Sequence, residues 1–337
     1  MNNEIQVSIP GKVVISGEYA VLDGAPAIVS TLKQKVNITI QKSDKNHNIY
    51  TTSVLQGVFP FTMDDDANVL WLDADPGIFG SLFEYAVKIL KPKLKEKLWI
   101  AVDSSEFFRT TKDGTAIKLG IGSSAAISVG ISQALSQYQD IRSSPENLLS
   151  QANSIHQGSQ GKQGSGIDVA CCFADQGVIE CTQDSVNNHT WSVLNWPNGL
   201  HLQALTTSQY GLTKRLVANY QRASNLYPKE FKSALDQFLD ITQSLSSAWR
   251  SEDVDLIIDL LRAYDVQIKK LDKIGDIGIY TQVHADIQNI ASRHNVFYKP
   301  SGAGGGDIGL AFGSSLDALS DFSDAIGTDA WNIGCLD

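Results

Sequence analysis

Three glycine-rich stretches of this 337-residue chain combine serine, lysine and aspartate in the pattern that lets a backbone approach phosphate. The first is Gly120-Ile121-Gly122-Ser123-Ser124-Ala125-Ala126, with Lys118 just before it. Glycine permits a tight turn and close approach to a ligand. A helix starting behind such a turn presents unpaired N–H groups and partial positive charge. The hydroxyls of Ser123 and Ser124 add donors or reach a Mg²⁺ ion. The second stretch runs from His156 through Gly158, Gly161, Lys162, Gly164, Ser165 and Gly166 to Asp168, which opens an apolar segment. The third is Lys299-Pro300-Ser301-Gly302-Ala303-Gly304-Gly305-Gly306-Asp307, far more glycine than a hairpin turn needs.

Each stretch has an ordinary reading when taken alone. The first is a turn with serine caps; the second makes Asp168 a helix N-cap and Lys162 a solvated lysine; the third is a flexible loop. Pro10-Gly11-Lys12 ends a strand, and Gly17-Glu18-Tyr19 follows in a turn-rich segment. Lys12 and Lys214 are unremarkable singly. His156 reads as a structural histidine, because no partner for it can be identified. Together, on an acidic chain, the loops point to transfer between anionic phosphates.

The charge balance excludes other classes. With 27 basic and 37 acidic residues the net charge is −10, which argues against coating nucleic acid or an anionic membrane. Apolar residues at 42% and charged residues at 19% describe a globular chain rather than a disordered one. No secretory signal is visible in MNNEIQVSIPGK, and no window approaches the roughly 18 apolar residues of a membrane helix. Cys171, Cys172, Cys181 and Cys335 form no C-x-x-C pair and are expected as buried, reduced thiols of a cytoplasmic protein. The first loop also fits the G-x-G-x-x-A of a dinucleotide fold, with Asp140 twenty residues after Gly120. That reading fails on context, since Asp140 follows a helix and not a second strand.

The elements that must position these loops follow from periodicity. Strands are expected at 5–9, 36–40 and 98–103, with turns interrupting 12–32. A serine-capped, mostly buried helix covers 123–138, and another covers about 145–156. Amphipathic helices follow near 228–249, 252–271 and 280–293. Strands at 296–300 and 308–312 flank the third loop, then come a helix near 316–326 and a last short strand. The pattern predicts an α+β fold in two domains, 1–195 and 196–337.

PGKVVISGEY, LGIGSSAA and SGAGGGDIGLAF stand in the order of three motifs of the galactokinase, homoserine, mevalonate and phosphomevalonate kinases, the GHMP kinase superfamily. The chain resembles that family along essentially its whole length, and its second and third loops most resemble the phosphomevalonate kinases. The resemblance implies an N-terminal ribosomal-protein-like α/β domain and a C-terminal ferredoxin-like domain. It implies ATP and Mg²⁺ as cofactors and 5-phosphomevalonate as substrate. Lys12 and Asp168 would be catalytic. Lys118, Gly120, Gly122, Ser123, Ser124, Ala125 and Ala126 would bind ATP, with Ser123 and Ser124 near the metal. Glu18, Tyr19, Lys162, Ser165, Gly166, Lys214, Ser301, Gly302, Ala303, Gly304, Gly305 and Asp307 would bind substrate. Mevalonate kinases carry a Mg²⁺-binding glutamate eleven residues before the aspartate, where this chain has Gln157. Mevalonate kinase and a catalytically silent nucleotide or small-molecule binder are the competing readings.

Overall fold

The computed structural model describes residues 4–110, 116–160, 164–183, 189–207, 213–326 and 330–336. Backbone contacts group the chain into two compact units, Met1–Lys12 with Thr31–Asp175 and Val13–Ser30 with Gln176–Asp337. Strands β1 (Ile5–Ser16) and β2 (Ala27–Lys42) each contribute to both.

In the first unit these are followed by β3 (Asn48–Thr52), β4 (Phe59–Met63), β5 (Val69–Trp71), α1 (Ser81–Leu90) and β6 (Leu98–Asp103). A ribbon of β7 (Phe108–Thr110) and β8 (Ala116–Lys118) leads to α2 (Ser123–Tyr138), α3 (Pro145–Gln160) and α4 (Ile167–Ala174). The far end of β2 pairs antiparallel with β6, β3 lies parallel to β6, and β4 and β5 extend the sheet antiparallel. Period-two burial of Val36, Ile38 and Ile40 gives β2 one core face. Helices α1 to α4 pack on one another. Small residues let α2 come close to the strands: a Cβ on Gly130 would stand 2.7 Å from Cγ1 of Ile38.

Pro10-Gly11-Lys12 does not end its strand as expected; β1 runs through it to Ser16. The reason is that β1 lies off the main strand path, where a proline without N–H is tolerated. The Lys12 N–H finds its acceptor on the Ile121 carbonyl instead, at 2.9 Å.

In the second unit β9 (Val178–Gln183) and β10 (His189–Leu194) form a hairpin, and β9 pairs antiparallel with Ala27–Ser30. Then come β11 (His201–Thr207), α5 (Thr213–Leu226), α6 (Pro228–Arg250), α7 (Val254–Gly275) and α8 (Gln282–Arg293). They are followed by β12 (Phe297–Pro300), β13 (Ile308–Gly313), α9 (Leu316–Ile326) and β14 (Ala330–Leu336). The strands make an antiparallel sheet in the order β12-β13-β11-β14. Leu205, Tyr298 and Ala311 of that sheet share a core with Ile287 of α8 and Leu319 and Phe322 of α9. Helices α6 and α7 form a long pair, with Phe238 of α6 packed against Tyr264 of α7. The α+β expectation holds in both units.

Cys171, Cys172 and Cys181 are free and buried, and burial pushes the Cys181 thiol up to about 12. The side chain of Cys335 lies outside the described residues. Among the described residues, no helix is long and apolar enough to cross a membrane.

Candidate active site

The first loop delivers its helix differently from the serine-cap expectation. Gly122, at φ +85°, is the N-cap of α2, and no side chain caps it. Ser123 and Ser124 are the first two helical residues. A left-handed glycine makes the sharp turn, with Gly120 (φ +76°) just before it, so the serines are not needed for capping. The resulting helix start has the partial positive charge of an anion site. Ala125 and Ala126 are fully buried in the packing face of α2.

Lys12 lies against this turn. A Cβ on Gly122 would stand 2.8 Å from Lys12 Cε, so glycine is what lets the two segments meet. Lys12 Nζ pairs with Asp168 Oδ1 at 3.0 Å, the lysine side chain 8% and the aspartate 36% exposed. Burial alone would lower the Lys12 pKa. The Asp168 carboxylate outweighs it and leaves the pKa raised, so the ammonium is charged throughout the neutral range. Asp168 is not the helix cap. Gly166 caps α4 at φ +75°, which frees the aspartate in the first turn to hold Lys12.

Ser124 Oγ lies 3.2 Å from His156 Nε2 on α3. Burial lowers the His156 pKa, Lys12 and Lys118 push the same way against Asp168, and the ring is neutral. This pairing answers the missing partner of His156; a contact between residues 32 apart leaves no mark in local periodicity. Lys118 is exposed at the end of β8, Ser165 is half-buried, and Lys162 lies outside the described residues.

The second unit holds the other predicted residues. Glu18 is buried: Oε1 accepts from Lys299 Nζ at 2.6 Å and Oε2 from the Tyr264 hydroxyl at 2.6 Å. The Gly17 N–H donates to the same hydroxyl at 2.9 Å. Gly17 is obligatory, since a Cβ there would stand 2.4 Å from the Ala27 Cα. Tyr19 stacks on Tyr220 and donates to the Ala303 carbonyl at 2.6 Å. Ser301 Oγ donates to the Val14 carbonyl at 2.8 Å. Gly302, Gly304, Gly305, Gly306 and Asp307 all have positive φ. Lys214 is exposed in the first turn of α5.

His284, which sequence reading passed over, sits beneath the third loop. The Gly306 carbonyl 3.0 Å from Nε2 can only accept, so Nε2 carries the proton and Nδ1 accepts from the Tyr298 hydroxyl at 2.9 Å. Burial lowers the His284 pKa to about 4. Between pH 4 and the unfolded-state value of about 6.5 the unfolded chain binds a proton that the folded one does not. Stability therefore rises with pH across that window. Below it, about 3 kcal/mol of this contribution is absent. Denaturant melts should show a shallower acid-side slope for His284→Gln than for wild type; equal slopes would refute the burial argument.

The family model described as "GHMP kinases N terminal domain" matches residues 82–176, the stretch from α1 through α4. A phosphomevalonate kinase of Streptomyces sp. (strain CL190) is 24% identical, covering 92% of this chain and 89% of the relative. A mevalonate kinase of Pyrococcus abyssi is 23% identical over 69% of this chain and 65% of its own length. Among solved structures, Streptococcus pneumoniae phosphomevalonate kinase in complex with phosphomevalonate and AMPPNP superposes with a TM-score of 0.78. It is 18% identical, with 98% of this chain and 99% of that one covered. Over residues 82–176 the chain thus matches the GHMP kinase N-terminal domain model; along most of its length it is similar in sequence to a phosphomevalonate kinase, and it shares the fold of these kinases.

Proposed function

We propose that the chain transfers the γ-phosphoryl group of ATP to 5-phosphomevalonate, giving 5-diphosphomevalonate and ADP. Residues 1–195 would carry the ATP-phosphate loop and 196–337 the third glycine-rich stretch. Lys12 and Asp168 take the catalytic roles, Lys118 and Gly120–Ala126 hold the nucleotide, and Ser165, Gly166, Lys214 and the 301–307 loop serve the acceptor. Lys162, with its charge, joins the acceptor group.

The donor set suits Mg²⁺ brought in by a nucleotide. Mg²⁺ prefers one or two carboxylates plus substrate phosphates to an all-protein cage. Among the described residues no cluster of three or more His, Cys, Asp or Glu forms such a cage. Asp168 and the hydroxyls of Ser123 and Ser124 are the candidate protein ligands. Bound Mg²⁺ would neutralise charge on the phosphates.

One observation carries the choice of acceptor. Asp168 is committed to Lys12 by an ion pair, and such a carboxylate orients a cation better than it abstracts a proton. A phosphate monoester, with a second pKa near ~6, is already a nucleophilic dianion at neutral pH. Its oxygen attacks the γ-phosphorus; one P–O bond forms, the bridging β–γ P–O bond breaks, and ADP leaves. No strong base is required, and Lys12 offsets charge on the moving group.

Offered mevalonate, 5-phosphomevalonate, homoserine and galactose at equal concentration, the protein should release ADP rapidly only with 5-phosphomevalonate. Lys162→Met should weaken binding of that acceptor more than of ATP. Rapid release with mevalonate alone would reassign the acceptor, and release with none of the four would favour a silent binder.

A further inference from the structure

The 301–307 loop ought to be floppy. Gly302, Gly304, Gly305 and Gly306 lack a Cβ, and all have positive φ, so their peptide units face little steric resistance to flipping. The structure nevertheless ties down three of its carbonyls. The Ala303 oxygen accepts from the Tyr19 hydroxyl at 2.6 Å, and the Gly306 oxygen from His284 Nε2 at 3.0 Å. The Asp307 oxygen accepts from the Thr207 N–H at 2.7 Å and from Thr206 Oγ1 at 3.1 Å. The Gly305 N–H donates to the Ile279 carbonyl at 2.8 Å.

A trans peptide is planar, with its C=O and N–H pointing in opposite directions. Pinning the Ala303 oxygen to Tyr19 therefore turns the Gly304 N–H away from Tyr19. Pinning the Gly306 oxygen to His284 turns the Asp307 N–H away from His284. Both pins are buried, at 5% and 0% exposure, and both are held from behind. The Tyr19 ring stacks on Tyr220, whose hydroxyl donates to Asp23 at 2.7 Å. His284 accepts at Nδ1 from Tyr298.

We propose that Tyr19 and His284 are positioning residues that set the orientation of two peptides of the glycine loop, keeping the Ala303 and Gly306 carbonyl dipoles off the side where an anionic acceptor binds. The loop is then ordered before the ligand arrives, which removes a reorganisation cost from binding. The assignment of the loop to an anionic acceptor rests on the function proposed above; the orientation of the peptides does not.

Three variants separate the possibilities. Tyr19→Phe removes one hydroxyl, His284→Leu removes the donor beneath Gly306, and His284→Gln retains a donor. Tyr19→Phe and His284→Leu should each raise the KM for 5-phosphomevalonate about tenfold, the order of one lost hydrogen bond. The KM for ATP should not move, and His284→Gln should stay within about threefold of wild type. Hydrogen exchange at the Gly305 amide gives a readout independent of turnover. Its protection should fall in the Phe and Leu variants and persist in Gln, with β13 unchanged. Equal rises in both KM values, Gln behaving like Leu, or unaltered exchange in Phe and Leu would each overturn the positioning role. If wild type ignores 5-phosphomevalonate yet the Gly305 exchange responds as expected, the acceptor is wrong and the positioning stands.

Discussion

Lys12→Ala should lower turnover by about 10²–10³, the usual consequence of losing one preorganised charge at a transferring group. Its effect on nucleotide affinity should be small by comparison. The companion variant, Asp168→Asn, should lower turnover too and should also destabilise the protein, because it strands a buried ammonium. With half of the pair lost, a cost of about 1–3 kcal/mol is expected, less than for a fully buried pair because Asp168 is partly solvated. The raised Lys12 pKa supplies stability that is present below the unfolded lysine value near ~10.4 and lost only as pH rises through the folded value. Wild-type rates should therefore show no Lys12 titration between about pH 6 and 9. Steady-state rates and urea melts of both variants test this; a folded Lys12→Ala enzyme at wild-type speed would reduce Lys12 to a structural cation.

Gly122→Val should abolish detectable nucleotide binding. The position has φ +85°, where a β-branched residue is strongly disfavoured. An added Cβ would also stand 2.8 Å from Lys12 Cε and 3.0 Å from its Cγ. The valine must therefore both unwind the turn before α2 and push Lys12 off Asp168. Gly122→Ala, with the same first atom but no branch, should weaken nucleotide binding by a smaller factor. Titration calorimetry with a non-hydrolysable ATP analogue decides the point. Undiminished affinity in a folded Gly122→Val protein would remove the loop from the nucleotide site.

Much of this arrangement was legible from local pattern. The long helices α2, α6 and α7 announced themselves through recurring apolar positions, and β12 and β13 through the glycine run between them. Helix α5 did not. Of its fourteen residues Leu216, Val217, Tyr220 and Ala223 are buried, and the rest of the segment is polar enough to pass for loop. Strands β3 to β5 and β9 to β11 were missed because short β-runs are stabilised by neighbours far away in sequence. The site divides the same way. Gly120, Gly122, Asp168 and the 301–307 loop could be picked out by spacing. The contacts that give them direction could not: Lys12 to Asp168, Ser124 to His156, Glu18 to Lys299 and His284 to Gly306 all join separate stretches of chain. Gly-Glu-Tyr illustrates the limit. Its spacing suggested residues facing a substrate, whereas the fold spends the Glu18 carboxylate on Lys299 and Tyr264 and the Tyr19 hydroxyl on a backbone carbonyl.

The Glu18–Lys299 pair also sets a timetable for the growing polypeptide. Its partners are 281 residues apart. At ribosomal rates of about 5–20 residues per second, the lysine is added roughly 15–55 s after the glutamate. For most of that interval, until Tyr264 is added, the Gly17–Tyr19 turn has neither partner to rest on, whereas all of Thr31–Asp175 is complete before either partner is made. The first unit can therefore condense on the nascent chain, while the second must keep its opening segment waiting until nearly the last residues emerge. A chain stalled before Lys299 would hold the Glu18 carboxylate without the ammonium that neutralises it in the finished fold.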